Sequence, residues 1–214
     1  MPKFGTLTSL LLLLAFCVGD AAAQPGTTIN SSGLVVLNEE HRGRDFIRIY
    51  NADGSVWHEF SFYDELRASK VGVEKGSFLP FAFHPDYFLL ALRCVRKEAG
   101  RYEVVVNEET GLKKYVRASD PSLKLEAWEQ HVLGAFAVDF NPKENPPREA
   151  PRGRAKKADA KDALFQPVEM RGEWLKVKWR AADQPGRDDA PKYVYGWVRW
   201  RRSAILLLEL FYFA

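Results

Sequence analysis

From Leu34 to Phe213 the chain is a succession of short apolar or alternating runs broken by turn-forming clusters. Phe46–Tyr50 (FIRIY) and Val56–Tyr63 (VWHEFSFY) flank Asn51-Ala52-Asp53-Gly54, which predicts a hairpin. Tyr102–Asn107 (YEVVVN) and Leu112–Val116 (LKKYV) flank Glu108-Glu109-Thr110-Gly111, which predicts a second hairpin with a longer loop. Tyr87–Val95 (YFLLALRCV) is too continuously apolar for a half-exposed strand, so it is expected to be central or covered. One helix follows: Asp120 as its cap, Pro121 in its first turn, Leu125, Trp128 and Val132 on one face, and Gly134 at its end. The expected fold class is therefore mainly β, a β-rich α+β chain.

The N-terminus changes the picture of where the chain works. Lys3, the apolar stretch Leu10–Val18 and Ala21-Ala22-Ala23 read as a secretory signal with cleavage after Ala23. Lipidation at Cys17 is the alternative, although the bulky Phe16 precedes it. Residues 24–33 read as a flexible leader. No later run reaches the roughly 18 apolar residues of a spanning helix, so no transmembrane segment is expected after cleavage. At the C-terminus, Leu206, Leu208 and Leu210 alternate with Leu207, Glu209 and Phe211 and predict a closing strand. The expectation is an exported protein, periplasmic or extracellular. Its mature part keeps a single cysteine, Cys94, and so has no internal disulfide.

Charge is unevenly placed. Gln24–Asn141 holds 14 basic and 17 acidic residues, net −3, and Pro142–Ala214 holds 16 basic and 10 acidic, net +6. Residues 141–163 are dominated by Pro and charge and read as a linker or a long solvated loop. Export argues against nucleic acid as the partner of this basic region.

Four of the six tryptophans lie in two strand-like runs of the last third. In Trp174–Arg180 the side chains alternate, with Trp174, Lys176 and Lys178 on one face and Leu175, Val177 and Trp179 on the other. In Trp197–Arg202 the two faces are Trp197, Arg199, Arg201 and Val198, Trp200, Arg202. Each run shows a Trp on a face shared with cations, which suits either a half-covered core or a ligand platform.

The order of motifs resembles bacterial SH3-like (SH3b) domains: NPPREAP (Asn145–Pro151), FQPVEM (Phe165–Met170), GEWLKVK (Gly172–Lys178) and GWVRW (Gly196–Trp200). Two departures are an extra residue between Asn145 and Arg148 and a long Arg180–Lys192 loop. The resemblance implies a small five-stranded barrel over 141–214, with 141–163 as an elaborated basic, Pro-rich loop, following a β-rich domain with one helix at 34–140. It also implies recognition of peptides or cell-wall material. The groove residues carried over are Trp174 and Trp197, with Trp200 and Tyr195 as neighbours and Lys176, Arg199 and Arg201 as basic edges. The competing role for the same tryptophans is to fill a small barrel's core.

Little in the sequence points to catalysis. His41, His58, His84 and His131 show no metal-ligand spacing, and neither HExxH, CxxC nor a phosphate-loop pattern occurs. No metal and no cofactor are expected. His84, with Asp86 close by, reads as a turn before the Tyr87 run, and His131 as a residue at the boundary of the helix face. Cys94 is in phase with Phe88, Leu90 and Leu92, so its thiol is expected to be buried and inert. The functional expectation is an exported, non-catalytic envelope protein whose SH3-like domain binds a peptide, peptidoglycan or an envelope protein. The alternative is a secreted cell-wall hydrolase with an unrecognised active site.

Overall fold

The computed structural model describes residues 26–29, 32–41, 46–62, 74, 76–156, 163–181 and 192–213. The signal segment, Cys17 and the Ala23 cleavage position lie outside these residues. The protein is mainly β, with several antiparallel sheets and, among the described residues, one α-helix.

In chain order the strands of the first part are β1 (Leu34–Leu37), β2 (Ile47–Tyr50), β3 (Val56–Phe60), β4 (Ala82–His84), β5 (Leu89–Glu98), β6 (Arg101–Asn107), β7 (Leu112–Arg117) and β8 (Leu123–Glu126). Helix α1 (Trp128–Gly134) and strand β9 (Ala137–Asp139) follow. Then come β10 (Gln166–Arg171), β11 (Trp174–Arg180), β12 (Tyr193–Arg199), β13 (Arg201–Arg202), β14 (Ile205–Leu206) and β15 (Glu209–Phe211).

The large sheet has the order β3-β2-β7-β6-β5-β1-β8. Both predicted hairpins form, β2 with β3 and β6 with β7. Asn51 supports the first turn: its N–H donates to the Ser55 carbonyl, its own carbonyl accepts from Gly54 N–H, and its Nδ2 donates to Ser55 Oγ. β5 is central, as its apolar run predicts. β4 pairs with its first half and β6 with its second, while β1 runs along the opposite edge.

The sheet buries both faces. Val35, Leu90, Leu92, Cys94, Val104 and Val116 point to one core, which aromatic side chains including Phe62 and Phe83 close. Leu34, Val36, Ala82 and Ala91 point to the other. That second core is shared with the C-terminal third: α1 supplies Trp128 and Val132, and β11 and β12 supply Leu175, Val177, Trp179 and Val198.

The helix is shorter than its periodicity predicts. Leu123 and Leu125 alternate with Lys124 and Glu126, and this period of two pairs β8 with β1 over its whole length. Asp120 serves the turn before it, its Oδ1 accepting from Ser122 N–H at 3.0 Å, and α1 starts only after Ala127. Gly33, at φ +84°, lies where β1 meets the end of β8. A Cβ there would sit 2.2 Å from the Glu126 carbonyl oxygen, so the approach of the two backbones requires glycine.

β10, β11 and β12 form a three-stranded antiparallel meander. The Asn145–Arg148 segment lies along the free edge of β12. Arg148 N–H donates to Trp197 O at 2.9 Å and Trp197 N–H to Arg148 O at 2.8 Å. The Asn145 side chain continues the pairing, accepting from Arg199 N–H and donating to Arg199 O. The C-terminal run forms β14 and β15 rather than one strand, and Leu206, Leu208 and Leu210 are buried together in the shared core. Gly26–Ile29, read from sequence as part of a flexible leader, lies beside β14 through bonds to Ala204 and Leu206.

Candidate functional site

The β11–β12 register sets aromatic rings against cations. Trp174 is opposite Arg199, Lys176 opposite Trp197, Lys178 opposite Tyr195 and Arg180 opposite Tyr193. The four pairs share one face because alternate residues of a strand point the same way. The Arg199 guanidinium lies 5.1 Å from the Trp174 ring centre, and Lys176 lies 5.5 Å from Tyr195 and 5.9 Å from Trp197. Arg171 of β10 reaches over Trp197 at 4.9 Å, and Lys178 over Tyr193 at 5.1 Å.

Of the residues singled out in sequence, Trp174, Lys176, Tyr195, Trp197 and Arg199 come together on this face. Trp174 and Trp197 are 7% and 6% exposed, so they form its floor, whereas Tyr195 is 44% exposed. Trp200 belongs to the opposite side. It is fully buried in the shared core, and its indole N–H donates to Gly172 O at 2.8 Å. Arg201 stacks on Trp200 and reaches toward Glu129 of α1 at 3.9 Å. The face also includes Arg171, Lys178 and Tyr193. The sequence alternation already places Lys178 with Trp174 and Lys176, and pairing it with the equal alternation in Tyr193–Trp197 is the signal for Tyr193. Two carboxylates temper the charge, Glu169 with Arg171 at 2.6 Å and Glu173 with Arg199 at 3.7 Å.

The glycine of the Gly-Trp pair has a packing reason. A Cβ on Gly196 would lie 2.9 Å from Pro147 Cβ and 3.1 Å from the Trp179 ring, so the Trp179 indole and the Asn145–Arg148 segment close over that position.

A second feature lies on the large sheet, where β1, β8, α1 and the C-terminal residues surround a cleft of about 410 Å³. On its wall the Glu126 carboxylate binds His131 Nδ1 at 2.8 Å, and His131 Nε2 binds the Tyr212 hydroxyl at 2.9 Å. Burial, and then the Glu126 charge, push the Tyr212 phenol far above its ordinary value, so it stays protonated. Tyr87 stacks face to face on Phe213, ring centres 3.9 Å apart. Sequence reading placed His131 only at the edge of the helix face. Its partners stand 5 and 81 residues away, and no local spacing brings them to mind.

Cys94 is fully buried, and burial pushes its thiol up, as its phase with Leu90 and Leu92 requires. Among the described residues, no three His, Cys, Asp or Glu side chains gather as a metal site. Also among these residues, no helix is long and apolar enough to cross a membrane.

Comparison with known proteins returned no matching family model, no matching curated protein and no matching solved structure.

Proposed function

We propose that the protein is an exported, non-catalytic binding protein of the cell envelope, whose C-terminal third is an SH3-like module that takes carboxylate-bearing peptides of the cell wall or of an envelope protein. The observation that carries this reading is the cross-strand alternation of rings and cations on the β11–β12 face, ending in two half-exposed tyrosines. Aromatic faces supply apolar area, and the cations around them steer acidic ligands. The SH3-like reading is supported by the β10–β11–β12 meander, by the Asn145–Arg148 segment beside β12, and by the glycine before Trp197. Export is supported by the signal-like segment Lys3–Ala23.

The face divides the labour among its residues. Trp174 and Trp197 are held under Arg199, Arg171 and Lys176 and serve as a rigid floor. Tyr193, Tyr195 and Lys178 are the groups left accessible to a ligand. Binding of purified cell-wall material by the wild-type chain, Tyr195→Ala and Lys178→Ala tests the reading. Tyr195 is exposed and Lys178 half-buried, with neither in the core, so the fold survives and binding falls by about tenfold, a loss of about 1.4 kcal/mol. Wild-type binding also weakens as salt rises. Equal binding by all three proteins would sink the proposal.

A further inference from the structure

The cleft beside α1 is separate from the β11–β12 face, and its chemistry is different. Its lining mixes both signs: Lys124 stands with the carboxylates of Glu39 and Glu126, and Glu126 is already held by His131. The two signs stand side by side, with a formal excess of one negative charge when His131 is neutral. Lys124 makes no ion pair among the described residues, and Gln130 is exposed, so both keep their hydrogen-bonding groups for a ligand.

Tyr212 offers a hydrogen-bonding function in either state of its neighbour. With His131 neutral, Nδ1–H donates to Glu126, Nε2 accepts the phenol proton, and the phenol oxygen keeps lone pairs for the cleft. With His131 doubly protonated, Nε2–H donates to the phenol oxygen and the phenol proton is released toward the cleft. Beside these polar groups lie the apolar side chains of Val36 and Leu89 and the stacked Tyr87–Phe213 pair, with Tyr87 57% exposed. An exposed ring with a negative face attracts the polarised C–H groups of a ligand laid flat on it. The volume of about 410 Å³ falls within the range of small-molecule sites, roughly 300–1,000 Å³.

We propose that this cleft binds a neutral sugar ring, its C–H face on Tyr87 and its hydroxyl groups on Tyr212, Gln130, Lys124 and Glu126. A sugar hydroxyl both donates and accepts, so it suits a lining that presents an ammonium, an amide, a phenol and a carboxylate side by side. A simple anion meets two carboxylates there, and a simple cation meets Lys124. The inference stands independently of the β11–β12 face.

Saturation-transfer NMR on the full exported chain tests it, with methyl β-glucoside and N-acetylglucosamine as neutral probes and benzoate and benzylammonium as charged ones. The sugars receive saturation through their ring C–H protons and bind in the millimolar range, about −4 kcal/mol. Tyr87→Ala and Gln130→Ala, both at exposed positions, each weaken sugar binding by several-fold while the thermal midpoint holds. Tyr195→Ala leaves sugar binding unchanged, which separates this site from the proposed peptide face. Three results overturn the proposal: no saturation of either sugar, sugar binding unaffected by both cleft variants, or binding of a charged probe in preference to the sugars.

Discussion

Arg199 and Trp174 face each other across the β11–β12 pair, with the guanidinium carbon 5.1 Å from the indole centre. The indole is nearly covered, so this contact is partly desolvated, and a cation over a ring is then worth about 0.5–2 kcal/mol. A double-mutant cycle with Trp174→Leu and Arg199→Ala, read by urea unfolding, should give a coupling of about 1 kcal/mol. Additivity of the two changes would show that Arg199 only overlies the ring without holding it.

Gly196→Ala is expected to destabilise the fold by about 1–3 kcal/mol, the ordinary cost of forcing a methyl group into closed packing. The added Cβ meets Pro147 on one side and Trp179 on the other, and neither is a flexible chain end. Urea denaturation checks this, and the accompanying change should include altered Trp fluorescence from Trp179. An unchanged midpoint would mean that the Asn145–Arg148 segment does not press on β12.

Burial holds the Cys94 thiol up and out of reach, so a disulfide reagent should label it only as fast as the large sheet opens. Cys94→Ser places a hydroxyl among Leu90, Leu92 and Val104 and should cost about 1–3 kcal/mol. Immediate labelling without denaturant would contradict the burial.

These elements differ in how far the sequence alone announces them. The two hairpins were legible because turn chemistry and strand pattern are local and agree: Asn51–Gly54 and Glu108–Gly111 sit between β-patterned runs that pair across them. The β11–β12 face was legible for the same reason, since a period of two in both strands leaves only the register to be found. β8 was not, because Asp120-Pro121 carries the marks of a helix start. The free edge of β1 then recruits Leu123–Glu126 as a strand, a tertiary preference that propensity does not contain. The Glu126–His131–Tyr212 chain was likewise hidden: β8, α1 and the C-terminal residues meet only after the shared core has formed. Leu206, Leu208 and Leu210 show an intermediate case. Their inward alternation persists although the strand itself is interrupted between β14 and β15.

Glu209 carries a pH signature. It lies directly across from Asp139 in the β9–β15 pair, and burial first, then the Asp139 charge, raise its carboxyl above the ordinary value. A raised folded value means that the folded state binds this proton more tightly than the unfolded chain does. Stability from the protonated form is therefore present at low pH and lost as pH rises through the folded value. Glu209→Gln removes the charge, so at about pH 7 it should stabilise by about 0.5 kcal/mol, the scale of a like-charge cross-strand pair. The gap should close toward about pH 4, where the wild-type carboxyl is itself protonated. Thermal midpoints of both proteins at the two pH values decide it, and a gap that widens on acidification would reverse the assignment.

Asn145 is the sharpest test of how the C-terminal third is built. Its side chain takes the place of a strand backbone: Nδ2 donates to Arg199 O at 2.7 Å, and Oδ1 accepts from Arg199 N–H at 2.9 Å. Three residues on, Arg148 pairs with Trp197 through two true backbone bonds. Together they close the edge of β12 that lies away from β11. Asn145→Ala removes both side-chain bonds and leaves two backbone groups without partners, a loss of about 2 kcal/mol at about 1 kcal/mol per bond. Asn145→Asp keeps the acceptor for Arg199 N–H but turns a second acceptor toward Arg199 O, so it should be no milder than Ala. Hydrogen exchange supplies the local readout. The Arg199 amide should exchange faster in both variants by more than the fall in global stability explains, while the Val104 and Val105 amides of the large sheet lose protection only by that global fall. Retention of Arg199 protection in Asn145→Ala would show that this edge is held by something other than the asparagine.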